Sequence, residues 1–450
     1  MLNEEEKPTG FMGWLKESVT VKLIFIGMLV LVLLIPSSLI NNLITERAGR
    51  QDEVVNEIAY NFAGNQVIKG PVLVIPYNVQ VNEVGNDGKI VTKQGIQNLY
   101  VSPNALSIKA DEHSDIRHRG IFEAVVYKTT VKVTGNFTKA DLAALGLNAN
   151  QLLLDKAKLT FGISDLKGLK TNPVVKAGSI IATATPAFNN QALFADGLQV
   201  NLDLSKENLD NLPFSYSLDL TGTDELSFLQ LGKTTDVELK GDWASPSFDG
   251  RFLPDNSDIN DKGFKAHWRM LYYNGVFPQQ WSGADSLLNN EKRQENAIFG
   301  VKLRLPVDEY QKTTRTSKYA ILIVLLTFIS LFLTELIRKQ KIHSFNYILI
   351  GAAMIVYYIL LLSFSEQIGF MWAYVVASAA TVGLVTTFIA SLLKNKKAAG
   401  LFAVILSVFY TFIFVIIQLE DLALLIGSIA LFIIIAVLMY FSRKINWDRQ

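Results

Sequence analysis

The sequence predicts a membrane protein of six transmembrane α-helices, one N-terminal and five C-terminal, with a large β-rich, sandwich-like domain inserted between spans one and two. Three observations predict it. Residues 319–442 hold only ten charged side chains in 124 positions, too few to solvate a soluble domain of that size. Residues 45–318 replace continuous apolar runs with a two-residue alternation. Lys and Arg flank the apolar runs on alternate sides only.

Six stretches have the roughly 20 apolar residues needed to cross about 30 Å of hydrocarbon. They are Leu23–Ile44, with Pro36 near its outer end, Tyr319–Ile337, Phe345–Ser365, Phe370–Leu393, Ala399–Gln418 and Leu422–Phe441. The spans divide the chain into a segment 1–22, span one at 23–44, the inserted domain at 45–318, a five-helix bundle at 319–442 and a tail at 443–450. The first apolar run exceeds the 7–15 residues of a signal-peptide core and no small-residue cleavage site follows, so it reads as an uncleaved anchor. Only span two carries a carboxylate, Glu335, and Arg338 and Lys339 follow at the spacing of a helical ion pair.

Orientation follows from the basic residues. Lys7, Lys16 and Lys22 precede span one; Arg338, Lys339 and Lys341 follow span two; Lys394, Lys396 and Lys397 follow span four; Arg443, Lys444 and Arg449 follow span six. The alternate loops, Glu366–Gly369 and Leu419–Asp421, have neither Lys nor Arg. Both termini are therefore expected in the cytoplasm and the insertion outside.

Within the insertion, Leu198, Val200, Leu202 and Leu204 alternate with polar residues, as do Phe214, Tyr216, Leu218 and Leu220. Val237 and Leu239, and Val301, Leu303 and Leu305, repeat the pattern. Such alternation marks strands with one buried and one wet face, the habit of antiparallel sheets. Gly85-Asn86-Asp87-Gly88 between Val79–Val84 and Lys89–Thr92 predicts a hairpin turn. Glu46–Gln66 predicts a juxtamembrane helix and Thr138–Asp155 a short surface helix.

Composition limits the chemistry. A net charge of +1 gives no clustered basic face for nucleic acid, and a 50% apolar content excludes disorder. With no cysteine there is no disulfide framework, thiol nucleophile or thiolate metal site. The sequence contains no G-x-S-x-G, H-E-x-x-H, Walker A or G-x-G-x-x-G motif. Among the four histidines, His113 and His118 lie in Asp111–His118, which reads as a solvated loop, His267 reads as a strand residue and His343 as a boundary residue. No catalytic residue, metal or cofactor is expected.

Polar groups at mid-span depth read as Ser and Thr only, such as Thr327, Ser330, Thr381, Thr386 and Thr387, which argues against a proton-coupled carrier. Ala373, Ala377, Ala379 and Gly383 read as a helix-packing surface. Arg47, Arg50, Lys312, Arg315 and Lys318 on one side, and Glu366, Glu420 and Asp421 on the other, all fall at the outer face. They are candidates for docking the external domain on the bundle.

Several blocks in order resemble the CreD family of bacterial inner-membrane proteins. They include Gly70-Pro71-Val72-Leu73-Val74-Ile75-Pro76-Tyr77, Gly232-Lys233-Thr234-Thr235, and Trp243-Ala244-Ser245-Pro246-Ser247-Phe248-Asp249-Gly250-Arg251-Phe252-Leu253-Pro254. Gly263-Phe264, Ala266-His267-Trp268, Pro306-Val307-Asp308-Glu309-Tyr310 and Ser365-Glu366 complete the set. The resemblance implies a periplasmic position for the inserted domain and a link to cell-envelope integrity or envelope stress. It supplies no catalytic residues. The expected mode is interaction of the domain with an envelope protein, a lipid or a glycan, in a chain embedded in the bilayer. Trp243, Pro246, Phe248, Phe252, Phe264, His267 and Trp268 are the candidate interaction surface. The competing expectation is a transporter or lipid-handling protein, because five C-terminal spans exceed what an anchor requires.

Overall fold

The computed structural model describes residues 19–84, 90–187, 193–194, 197–283, 288, 290–303, 305, 309–338, 342–419 and 423–442. The chain divides into two compact units, Met1–Arg50 with Val307–Gln450, and Gln51–Pro306. Helix α1, Val19–Phe62, belongs to both. The juxtamembrane helix predicted at 46–66 is thus the continuation of the first span and ends at Phe62. Beyond Ile44 the sequence turns polar, but no proline follows Pro36 within the helix, so the helical bonding runs on into the charged stretch. The end is fixed by the β unit's side chains. Thr223 Oγ1 donates to the Ala63 carbonyl at 2.7 Å, and Gly64 N–H donates to Asp165 Oδ2 at 3.0 Å.

Two sheets make up the Gln51–Pro306 unit. The nine-stranded sheet runs β13 (Pro246–Gly250), β17 (Ile298–Leu303), β11 (Glu225–Leu229), β1 (Gln66–Val84), β5 (Ala157–Gly162), β9 (Gly197–Leu202), β8 (Thr185–Pro186). In the same sheet β2 (Ile90–Val101) pairs with β1 and β16 (Gln280–Ser282) pairs with β2. The eight-stranded sheet runs β14 (Asn256–Asn260), β15 (Gly263–Leu271), β12 (Thr234–Gly241), β3 (Ala105–Arg119), β4 (Phe122–Phe137), β10 (Leu212–Thr223), β6 (Val174–Ala177), β7 (Ile180–Thr183). Ladders are antiparallel except β1 with β11 and β12 with β3. Both sheets contribute to one buried cluster: Leu73, Leu159 and Phe228 from the first, Ile108, Val133 and Leu218 from the second. The predicted alternation is what builds it, since β10 buries Phe214, Tyr216, Leu218 and Leu220 and leaves Ser215, Ser217 and Asp219 toward solvent.

Two local expectations are revised, and a third falls on undescribed residues. Thr138–Asp155 is not an α-helix but three single turns of 3₁₀-helix, Ala143–Leu145, Ala149–Gln151 and Leu154–Lys156. Gly146 turns left-handed at φ +67°, and the backbone then bonds outward to the sheet, Leu153 N–H to Pro76 O at 2.8 Å and Leu204 N–H to Leu154 O at 2.9 Å. Those bonds replace the helical ladder. Asp111–His118 is strand rather than loop, because β4 supplies an unbroken antiparallel partner from Asp111↔Thr130 to His118↔Glu123. The predicted turn at 85–88 lies outside the described residues, while its flanks pair as Val84↔Ile90.

A short helix, α2 (Glu291–Glu295), precedes β17. The second unit then continues through α3 (Glu309–Lys318), α4 (Ala320–Arg338), α5 (Ser344–Ile368), α6 (Phe370–Leu393), α7 (Lys396–Gln418) and α8 (Ala423–Ser442). Among the described residues, five helices are long and apolar enough to cross a membrane: Thr20–Phe62, Glu309–Leu336, Ser344–Ile368, Phe370–Leu393 and Lys396–Gln418. The sixth predicted stretch is also helical, with its apolar part described over Leu425–Ala436. On α6, Ala373, Ala377, Thr381, Val385 and Ile389 are buried at four-residue steps, one ridge of the helix. Ala379 and Gly383 fall off that ridge and are exposed, so the predicted small-residue surface splits in two. Gly351 of α5 packs tightly against α1 and α4, since a Cβ there would sit 2.6 Å from Leu33 and 3.0 Å from Phe328.

Candidate functional site

The sequence-predicted aromatic surface folds inward. β15 places Phe264 and Trp268 on its buried face, Trp268 being 1% exposed. Phe248 of β13 packs edge-on against both rings, at 6.1 Å and 5.7 Å. Phe252 meets Phe299 edge-on at 6.4 Å, and its carbonyl accepts from Trp268 Nε1 at 3.0 Å. Trp243 is half-buried against the same core and Pro246 half-buried at the start of β13. These residues join the edges of the two sheets by packing. Alternation predicts burial for every second residue of Gly263–Trp268, and an aromatic on that face is core before it is surface. His267, on the opposite face, meets Asp236 Oδ2 at 3.1 Å.

A different feature of the unit is open to a ligand. A cavity of about 190 Å³ lies where the 3₁₀ segment crosses the nine-stranded sheet. Its floor is Leu73 and Ile75 of β1 with Leu99 and Val101 of β2. Phe137 and Leu212 close one end, and Ala140, Leu142, Leu152, Leu154 and Leu209 form the cover. Thr138 and Lys139 are the polar contributors. The covering leucines remain half-buried, so the space is not sealed. Sequence reasoning took these leucines for the apolar stripe of a helix, and their true role depends on the bonds that prevent the helix.

Two carboxyls of the same unit are pushed above the usual carboxylate range. Glu112 extends the inward row Leu106, Ile108, Ala110 of β3 and is fully buried. Burial raises it from 4.5 to about 7, opposed by the hydrogen bond from the Ser114 hydroxyl and assisted by the Asp242 charge. Its Oε2 has no hydrogen-bond partner among the described residues. Glycine at 241 is what leaves room for it, since a Cβ there would collide with Glu112 Oε2 and the Phe264 ring. Asp224, at φ +59°, rises from 3.8 to about 6 through burial and the neighbouring charges of Asp52 and Glu225. The period-two row was a readable signal for Glu112.

In the helical unit Glu335 is buried but does not wait for its own helix's basic residues. The ammonium of Lys22, from α1, pairs with Glu335 Oε1 and also donates to the Ile342 carbonyl at 2.6 Å. Ile342 N–H and the Tyr347 hydroxyl donate to the same carboxylate, each at 3.1 Å. The predicted pairing with Arg338 and Lys339 falls on the Arg338 side chain and on Lys339, both outside the described residues. At the other end of α5, Glu366 accepts from the Tyr310 hydroxyl at 3.0 Å and faces Arg47 at 4.0 Å. Arg47, Glu366 and Tyr310 all belong to the helical unit, so this pair joins helices of one unit. Arg50 lies on α1; Arg315 and Lys318 lie on α3, the first half-buried and the second exposed; Glu420 and Asp421 fall outside the described residues.

Between those carboxylates the bundle holds polar groups that the sequence reading overlooked. Tyr357 and Tyr358 of α5, Tyr374 of α6 and Tyr410 of α7 are all buried. The Tyr357 ring lies 4.8 Å from Tyr410 and 6.1 Å from Tyr374, edge-on to both. Tyr374 donates to the Tyr410 carbonyl at 2.7 Å. The reading counted Ser and Thr as the mid-span polar groups, and tyrosine's apolar ring hides its hydroxyl in a hydropathy scale.

Five membrane-length apolar helices among the described residues, with a large β-rich unit inserted after the first, define a multi-span membrane protein. The profile of the CreD inner-membrane protein family matches residues 18–448. This chain belongs to that family. It is similar to inner membrane protein CreD of Escherichia coli (strain K12), with 29% identity over 421 residues, which cover 93% of this chain and 91% of the relative.

Proposed function

We propose that this chain supports cell-envelope integrity or the response to envelope stress, from the inner membrane, by interaction rather than catalysis. On this reading six spans place both termini in the cytoplasm and the Gln51–Pro306 unit, a two-sheet sandwich, in the periplasm. The asymmetry of Lys and Arg around the spans supports the orientation. The observation that carries the interaction reading is the lining of the cavity. Twelve of its fourteen residues are apolar, with Thr138 and Lys139 the remainder, a wall suited to holding an apolar group and lacking a paired acid and base.

The test is entry of a normally excluded dye into a deletion strain. Rescue by the full chain is compared with rescue by residues 1–306, with membrane levels of both verified. Rescue by both forms is the expected result. Rescue by the full chain alone, at equal levels, moves function to the bundle. No dye entry in the deletion strain removes the envelope role.

One observation favours a second reading, transport or lipid handling by the bundle. The buried tyrosines of α5, α6 and α7, together with the Lys22–Glu335 pair, give the helical unit the interior polar groups that solute pathways use.

A further inference from the structure

The cavity beside the 3₁₀ segment has properties that narrow its occupant. Its lining is hydrocarbon apart from Thr138 and Lys139, so the buried part of a ligand is mainly apolar. Its depth is modest: about 190 Å³ is space for about six water-sized groups, at roughly 30 Å³ each, and methylene groups are of similar size. That volume suits the end of a flexible chain better than a fused ring system. Water in such a mostly apolar pocket finds few hydrogen-bond partners and is readily displaced by an apolar group.

The rim adds the second constraint. Lys139 is exposed at the mouth, and it is the charged residue among those that line the cavity. Nearby Asp141 is already engaged, with its N–H and carbonyl on the Gln280 side chain and its Oδ1 accepting from Ala144 N–H. The opening therefore favours an anionic head beside an apolar tail. The cover is held by single backbone bonds, Leu153 N–H to Pro76 O and Leu204 N–H to Leu154 O. Its three single turns have no continuous helical ladder, and the leucines facing the cavity are half-buried. A helix of the same chain, α1, includes a membrane-length apolar stretch, so acyl chains are the abundant apolar ligands in its surroundings.

We propose that this cavity binds the terminal segment of one acyl chain of an anionic phospholipid, with the head group at Lys139. The proposal rests on the interaction reading above and supplies its ligand. Entry of the chain replaces poorly bonded water with packed methylenes, which gives the site its driving force, while the single cation selects the head.

The full chain is reconstituted in vesicles containing phosphatidylglycerol with a diazirine at the acyl terminus, irradiated and digested. A parallel sample contains the same probe on phosphatidylcholine, and a third contains free palmitate bearing the diazirine. Peptides from the helical spans label in every sample and serve as the internal control. The expected result is labelling of residues 137–156 and 205–212 by the phosphatidylglycerol probe. Ala140→Phe, which fills the cavity, lowers that labelling at least tenfold, and Lys139→Glu lowers it about threefold for phosphatidylglycerol but not for phosphatidylcholine. Leu142→Phe repeats the filling test from the other side of the cover should Ala140→Phe fail to fold.

Labelling confined to the spans overturns the proposal, as does labelling unchanged by both filling variants. Labelling by palmitate alone overturns the phospholipid assignment. Lost labelling with dye exclusion still rescued sinks this proposal and leaves the envelope role intact. Labelling that persists where deletion has no dye phenotype does the reverse.

Discussion

Glu112 and Glu335 are both buried glutamates, one in the β-rich unit and one among the helices, and the two units handle them in opposite ways. Glu335 keeps a cation, Lys22, and two further donors, Ile342 N–H and the Tyr347 hydroxyl, around its carboxylate. Glu112 has a hydroxyl for one oxygen and nothing for the other, and its proton stays on up to about pH 7. The difference is one of geometry. Helix ends from distant parts of the chain bring Lys22 and Glu335 together, so a counter-charge can be delivered to the buried acid. A sheet interior surrounds Glu112 with apolar side chains from β4, β12 and β15, and neutralisation is the remaining route to low free energy.

The largest expected effect comes from breaking the first arrangement. Lys22→Met leaves Glu335 buried without its cation and should destabilise the helical unit by about 3–5 kcal/mol. Thermal loss of monodisperse, detergent-solubilised full chain measures it. The double variant with Glu335→Gln should recover most of the loss. Equal damage from the single and double variants would mean that Lys22 acts through packing alone.

Changing Glu112 sharpens the other side. Between the ordinary value of 4.5 and about 7 the folded chain holds a proton that the unfolded chain releases. Stability therefore falls as pH rises through that window and is level above it. A shift of that size corresponds to roughly 3 kcal/mol. Glu112→Gln should flatten the dependence and raise the unfolding temperature at pH 8 while leaving pH 4.5 nearly unchanged. A parallel pH profile in both proteins would contradict the burial of a neutral acid.

The smallest effect is expected where a pair faces solvent. Arg47 is about half exposed, at 46%, and stands 4.0 Å from Glu366. Arg47→Ala should cost less than about 1 kcal/mol, and high salt should mask it. A loss comparable with Lys22→Met would place Arg47 in the same class as the buried pair.

How much of this was legible before folding depends on the range of the signal. Helical spans and strands announce themselves through the periods of their own residues, so Phe370–Leu393 and the alternation at Phe214–Leu220 reappear in the structure almost residue for residue. The family blocks were legible in the same way. Aromatic clusters were misleading, because Phe264 and Trp268 look like a binding surface until β13 and β17 arrive to cover them. The leucines of 138–156 were misleading too, since helix propensity favours them and the bonds to Pro76 and Leu204 override it.

By itself the sequence determined that this chain enters a membrane, how its apolar runs are ordered and that a β-rich insertion separates the first from the rest. Those are consequences of desolvation and backbone periodicity, which act within twenty residues or so. Tertiary structure alone decided which acid meets which base, which glutamate stays neutral and where an apolar cavity remains. Each of these joins residues distant in sequence, as Lys22 with Glu335 or Leu73 with Leu209, and only packing in three dimensions brings them within reach.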